Sequence, residues 1–392
     1  MDQVRNPYTP GAGVRPFELA GRVSEVRDMD VALQRMLTGR TAKSQLVTGL
    51  RGVGKTVLLH EFGRVAMKRG FVHEHIEVHD GEQLPLQLAV ALRKALLKLG
   101  GKKKTKGVNR RALGVLRAFT LAYPVAATLH SEAEVVRGVA DSGDLGHDLA
   151  DLFEELGGAA HAHEAGIFLT IDEMHHLAST GLDALLRGLH RANGAGLPFA
   201  VAGAGLPSLA AVSEEARTHA EQMFRFHPIG ALAPEECSTA VVAPAAEEGV
   251  SWKGAAVARL FEVTQGYPYF IQEFARQAWD LAEAGSEVIR LGDVERSIPL
   301  AIAELDQGFF QFRAVRTTDP ERHYLRAMAE LGPGIVRSAD VATLLHKKTT
   351  QVAPVRDALM KKAICFSPRF NELAFTFPMF DEFMKRWMPQ FS

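Results

Sequence analysis

Gly49-Leu50-Arg51-Gly52-Val53-Gly54-Lys55-Thr56 satisfies G-x-x-x-x-G-K-[ST], the signature of a phosphate-binding loop. Its flanks carry the structural context that such a loop needs. Ser44-Gln45-Leu46-Val47-Thr48 before it reads as a short apolar strand, and Val57-Leu58-Leu59-His60-Glu61-Phe62 after it reads as a helix. Glycines at 49, 52 and 54 let successive backbone N–H groups turn inward at a helix N-terminus, where an anion is stabilised. Lys55 adds a point charge against the β/γ-phosphates, and the Thr56 hydroxyl is positioned for Mg²⁺. Gly49, Arg51, Gly52, Val53, Gly54, Lys55, Thr56 and Val57 are therefore expected to line a nucleoside triphosphate, ATP above all, with ADP as product.

A chain of 392 residues exceeds one ordinary core and predicts two or three domains. Hydrophobic residues make up 47% and charged residues 23%, as in a globular protein rather than a disordered or membrane chain. Formal net charge is −1, so any nucleic-acid surface has to be local. The two cysteines, Cys237 and Cys365, have no metal-ligand or redox spacing and suit a reducing, cytoplasmic compartment. Met1 to Pro16 is polar with Pro and Gly, unlike a signal peptide. The run Leu121–Leu129 contains Pro124 and is too short to span a bilayer, so no membrane partner is expected.

Hydrolysis needs a second, acidic strand, and Gly166-Ile167-Phe168-Leu169-Thr170-Ile171-Asp172-Glu173 supplies it. The apolar run suits a central parallel strand buried on both faces. Its carboxylates fall at the C-terminal edge, where open α/β sheets bind ligands. Asp172 is expected to hold Mg²⁺ through water, and Glu173 to polarise the attacking water as general base. Further strands are read at 70–78 and 197–205, with a helix at 181–193 carrying Leu182, Leu185, Leu186 and Leu189. The expected fold is α/β: a P-loop NTPase with a doubly wound parallel sheet, then a helical lid and a C-terminal winged helix.

These motifs resemble the AAA+-type ATPases of the origin-recognition-complex-like group, especially bacterial ATP-binding proteins that end in a winged helix. Asn6-Pro7-Tyr8-Thr9-Pro10-Gly11, then Leu19, Gly21, Arg22 and Glu25, is similar to the family segment that precedes the loop and frames the adenine. Ala204–Leu209 resembles its post-strand turn. Thr264-Gln265-Gly266-Tyr267-Pro268-Tyr269 looks like the lid motif of the signal-transducing branch, in which the proline (here Pro268) packs over the nucleotide. Two departures stand out. Ala202-Gly203-Ala204 has no side chain to sense a γ-phosphate, and Gln222 stands where members often have an arginine, with Arg217 and Arg225 nearby. An arginine finger is worth about 10³–10⁵ in rate, so the resemblance implies slow turnover.

The domain boundaries are read as 1–230 for the ATPase core, 231–316 for the lid and 317–392 for the winged helix. Lid helices are expected at 235–247, 252–264, 270–283 and 291–305, the first opened by Pro234. Beyond them come a helix at 319–331, a second from Ser338, a third with Pro354 in its first turn, and a hairpin over 364–377. That order can present a helix to a DNA major groove. Lys347, Lys348, Arg356, Lys361 and Arg369, with Lys362, are the candidate duplex-DNA contacts; residues 317–392 carry eleven Lys and Arg against eight Asp and Glu. Two roles follow for the chain: an ATP switch acting on DNA, or a signal-transducing ATPase that self-associates and acts through a protein effector.

Weaker signals remain. Lys102–Lys106 with Arg110 and Arg111 forms a basic loop, solvated or touching phosphates. His73 and His75 share a strand face without a carboxylate or cysteine to complete a metal site. His175 and His176 follow the acidic pair and either touch the catalytic water or form an ordinary helix N-terminal turn, the turn being favoured; Arg187 and Arg191 read as subunit-contact or rim residues, the rim being favoured.

Overall fold

The computed structural model describes residues 1–11, 13–79, 84–100, 106–123, 133–211 and 223–390. The expected basic loop at 102–105, Arg217 and Gln222 lie outside these. Contacts divide the chain into two compact bodies: residues 22–49 with 55–229, and residues 1–21 with 50–54 and 230–392.

The first body is built on five parallel strands: β1 (Ser44–Thr48), β2 (Phe71–Glu77), β3 (Gly166–Asp172), β4 (Phe199–Gly205) and β5 (Phe224–Pro228). Their spatial order is β2-β3-β4-β1-β5. The strand before the loop motif, β1, and the acidic strand β3 are thus separated by β4 alone, with Leu46 opposite Gly203 and Gly203 opposite Ile171. β1, β3 and β4 are buried at every position, which is why they read as continuous apolar runs rather than alternating ones. Helices α1 (Val23–Leu37), α2 (Lys55–Lys68), α3 (Leu84–Leu99), α4 (Lys106–Ala122), α5 (Leu145–Ala162) and α6 (Ser179–Gly194) pack around them. Ile167, Leu169 and Ile171 join α5 and α6 in the main core, through Leu149, Phe153, Leu185 and Leu189. The alternate residues point the other way: the Thr170 hydroxyl meets His73 and His75, and Asp172 meets Thr56 of α2. The two histidines on one strand face, His73 half-buried and His75 exposed, are therefore both hydrogen-bonded to the buried Thr170 hydroxyl.

The second body is mainly helical: α7 (Pro234–Glu247), α8 (Gly254–Thr264), α9 (Pro268–Leu281) and α10 (Leu291–Glu304), the last prolonged by a π turn at Leu305–Phe310 and a short helix Gln311–Ala314. The predicted helix at 252–264 starts two residues late. Ser251–Trp252 is instead a short strand, β6, against β7 (Val288–Ile289), because the buried Trp252 indole donates to Tyr8 Oη at 2.8 Å and the backbone pairs to suit. Tyr8 in turn donates to the Val241 carbonyl at 2.6 Å, which ties the N-terminal segment to α7.

α11 (Asp319–Glu330), α12 (Ser338–Leu344), α13 (Thr349–Lys361) and α14 (Phe380–Trp387) accompany a three-stranded antiparallel sheet. Its strands are β8 (Val336–Arg337), β9 (Cys365–Phe366) and β10 (Glu372–Phe375), with β10 central. α13 begins at Thr349, so Pro354 lies inside the helix and not in its first turn. The start is set by Gln351, whose Oε1 accepts from the Lys348 N–H at 2.9 Å and caps the helix one turn earlier than proline would. An aromatic core built from Phe309, Phe310, Phe375, Phe377, Phe380 and Phe383 joins this sheet to the end of α10. Both cysteines are buried and free, and burial pushes each thiol up to about 12, far from reactive.

Candidate functional site

Within the first body, Gly49 closes β1 by donating to the Gly205 carbonyl at 3.2 Å. α2 begins at Lys55, whose buried ammonium turns back to the Gly49 carbonyl at 3.0 Å. That geometry keeps the charge inside the loop, where phosphate oxygens can take the carbonyl's place. One residue on, the Thr56 hydroxyl donates to Asp172 Oδ2 at 2.5 Å. Asp172 is nearly fully buried, and its Oδ1 accepts the Glu173 N–H at 2.8 Å. A hydroxyl and a carboxylate converging this closely are the oxygen donors that Mg²⁺ uses alongside phosphates, so the residues fit the ion. Val57 is buried behind them, and Arg22 is buried at the start of α1.

Glu173 is left-handed, with φ 53°. A non-glycine residue pays for that conformation, and such residues concentrate at functional positions. The turn lifts the Glu173 carboxylate off the line of β3 and toward His175, with Oε2 3.2 Å from Nδ1. The predicted helix start at His175-His176 is instead a 3-10 turn, Met174–His176; α6 begins at Ser179. Beyond β3, burial and the neighbouring His75 lower His73 from its ordinary 6.5 to about 4. His75 is lowered too, by burial and His60, against the opposing pull of Asp172. Arg191 pairs with Asp151 and Glu154, and Arg187 with Asp183, which accounts for both arginines at the rim.

The tip of the loop, residues 50–54, belongs to the helical body. Gly52 and Gly54 have φ 84° and 91°, which only glycine adopts freely. A Cβ on Gly52 would also come within 3.0 Å of the Tyr267 ring. Tyr267 donates its hydroxyl to the Arg51 carbonyl, Tyr269 donates its N–H to the Gly52 carbonyl at 3.2 Å, and the Arg51 N–H donates to the Thr376 carbonyl at 3.4 Å. Val53 is buried and Pro268 opens α9. Gly21 has φ 68° and abuts the Glu236 carboxylate; Leu19 is partly buried. The three tip bonds were not legible in the sequence, because their partners lie more than 200 residues away, and the lid-like motif that contains Tyr267 and Tyr269 does not point to Arg51 or Gly52.

The expected DNA contacts divide. Lys347 and Lys348 are exposed at the start of α13, Lys361 at its end, and Arg369 beside the hairpin turn next to Phe370, which is 91% exposed. Arg356 is half-buried and paired with Asp357 at 2.9 Å, and Lys362 is held by Glu321 at 2.6 Å.

Residues 18–201 match the sequence profile described as AAA ATPase domain, and residues 307–384 match one described as a domain of unknown function. No curated protein matches the chain. Among solved structures, the ORC1 protein of Aeropyrum pernix, in complex with DNA, is 16% identical, with 97% of this chain and 96% of that chain covered at a TM-score of 0.50. The RuvB Holliday junction branch migration motor of Thermotoga maritima is 14% identical over 93% and 96%, with a TM-score of 0.45. Cdc6p of Pyrobaculum aerophilum is 14% identical over 99% and 98%, also at 0.45. At such an identity the likeness to the ORC1 protein shows a shared fold alone. No helix among the described residues is long and apolar enough to cross a membrane. Over residues 18–201, therefore, this chain is similar to the AAA ATPase domain, and its α/β sheet has a P-loop NTPase fold.

Proposed function

We propose that the chain is an ATP-binding switch with slow hydrolysis, whose nucleotide state governs a C-terminal DNA-contacting module. The observation that carries this reading is the Thr56–Asp172 contact beside Lys55, which joins the two motifs of a nucleotide site. In it, Lys55 exchanges the Gly49 carbonyl for phosphate oxygens. Thr56 and Asp172 are the residues that would hold Mg²⁺, which when bound would supply positive charge against the phosphates. Glu173 orients and deprotonates water. Gly49, Arg51, Gly52, Val53, Gly54 and Val57 enclose the triphosphate, while Leu19, Gly21, Arg22 and Pro268 flank the nucleoside. Absence of a polar side chain along β4 argues for slow turnover.

Coupling is supported by the loop tip. Arg51 and Gly52 carry bonds to Tyr267 and Tyr269 around the start of α9, and to Thr376 beyond β10. A nucleotide that reshapes the tip must break or keep those bonds, which biases the helical body. The working division is 1–230 for the core, 231–316 for the lid and 317–392 for a winged helix; the order of α11, β8, α12, α13 and the β9–β10 hairpin supports the last name. Lys347, Lys348, Lys361 and Arg369 are the proposed phosphate contacts, as DNA is bound by the ORC1 neighbour.

The alternative, self-association with a protein effector, is favoured by the ion pairs that already occupy Arg356 and Lys362. One experiment separates the parts: nucleotide affinity and turnover in Lys55→Ala and Glu173→Gln, with particle size and duplex retention measured with and without ATP. Lys55→Ala is expected to lose nucleotide, and Glu173→Gln to keep it without turning it over. Unchanged ATP affinity in Lys55→Ala overturns the site. ATP-dependent growth in size without duplex retention replaces DNA by a protein partner.

A further inference from the structure

Among the described residues, Glu173, His175 and His176 are the one group of three His, Cys, Asp or Glu side chains whose ligand atoms all lie within 4.8 Å of one another. Backbone geometry builds the group. The left-handed Glu173 turns the chain, and the 3-10 turn that follows sets the two imidazoles with centroids 4.3 Å apart and planes tilted by 37°. Met174, fully buried at the inner corner, fixes the turn from behind: a Cβ on Gly203 would come within 2.1 Å of its sulfur. Glu173 Oε2 is buried and accepts no well-directed hydrogen bond, although His175 Nδ1 lies 3.2 Å away. Two ligands on a tetrahedral zinc ion, each about 2.0–2.1 Å from it, stand roughly 3.4 Å apart. The Glu173–His175 spacing is close to that chord, and the third ligand atom lies within 4.8 Å of both.

We propose that Glu173, His175 and His176 form a three-ligand site for a divalent transition ion of the zinc class, and that its occupation withdraws the Glu173 carboxylate from water and stops hydrolysis. Imidazole with carboxylate suits zinc, whereas Mg²⁺ demands oxygen donors in octahedral array. The trio and the Thr56–Asp172 pair therefore select different ions. Metal binding stands independently of the function proposed above; only the inhibition rests on Glu173 being the base.

The test is Co²⁺ titration of the full chain without nucleotide, read from its visible absorption and by competition with Zn²⁺. Wild type is expected to take up one tight equivalent, and His176→Asn, which loses a direct ligand, to bind it more weakly by at least the roughly 10–100-fold that losing an outer-shell partner costs. In a Mg²⁺-ATP assay, micromolar Zn²⁺ is expected to stop the wild type while His176→Asn keeps basal turnover and resists. X-ray absorption of the zinc-loaded wild type, which needs no variant, is expected to show two imidazoles and one carboxylate. No tight Co²⁺ in wild type, a first shell without imidazole pairs, or undiminished binding in a folded His176→Asn overturns the site. Zinc that binds through His176 yet leaves turnover unchanged upholds the site and overturns Glu173 as the base.

Discussion

Thr56 Oγ1 and Asp172 Oδ2, separated by 116 residues in sequence, stand 2.5 Å apart. The contact ties the first turn of α2 to the end of β3 across β4, so the phosphate loop and the acidic strand share one point. Thr56→Val removes the hydroxyl and keeps the shape. Among the described residues, the buried Asp172 carboxylate then retains only its bond from the Glu173 N–H. We expect a stability loss of about 1–3 kcal/mol. ATP affinity should fall more with Mg²⁺ than in its absence, by titration calorimetry in magnesium and in EDTA. Equal losses in both buffers would remove Thr56 from the metal site.

Gly52→Ala tests the loop tip. Positive φ and a Cβ 3.0 Å from the Tyr267 ring both oppose any side chain there. Strain of this kind costs about 1–3 kcal/mol. Melting temperature should drop and ATP binding should weaken. Tyr267→Phe is the gentler companion: it removes the bond to the Arg51 carbonyl at about 1 kcal/mol, and should raise hydrogen exchange of the tip amides. Unaltered exchange would mean that Tyr267 does not hold the tip.

Acid should weaken the sheet body through His73. Its pKa in the folded chain is about 4 against 6.5 ordinarily, so as pH falls below 6.5 the unfolded chain takes up a proton that the folded chain refuses. Stability is therefore full above pH 6.5 and is lost progressively toward pH 4. His75, lowered in the same direction by burial and His60, adds to the slope. His73→Gln should flatten thermal melting against pH over that window; an unchanged slope would assign it to other groups.

Duplex DNA retention should fall steeply with salt if Lys347, Lys348, Lys361 and Arg369 meet phosphates. Each phosphate contact contributes about −0.9 to the slope of log affinity against log salt. Changing Lys347 and Lys348 to Glu should reduce that slope by about two and abolish retention at moderate salt. Arg356→Gln should matter less, since its guanidinium is engaged by Asp357. A slope near zero in the unaltered chain would end the DNA reading.

Much of the nucleotide site was legible because its chemistry is local. The glycines of 49–54, the Lys-Thr pair and the acidic strand end occupy contiguous residues whose backbone conformation follows from their own side chains. Burial on both faces made β1, β3 and β4 visible as apolar runs. Two-residue strands such as β6 and β8 were invisible, since their pairing is decided by Trp252 and by Asn371–Glu372, far along the chain. Pro354 misled because proline favours a first turn, while the Gln351 cap had already started α13.

By itself the order of residues determined a phosphate-binding loop after a strand, an acid pair ending another, and a helical C-terminal region. Tertiary structure alone decided that Tyr267, Tyr269 and Thr376 grip the loop tip, that Arg356 and Lys362 are already neutralised, and that Glu173 shares its corner with His175 and His176. The reason is physical. Local motifs are written in side-chain and glycine chemistry over a few residues, whereas these pairings depend on packing that brings distant backbone groups together, and no periodicity records it.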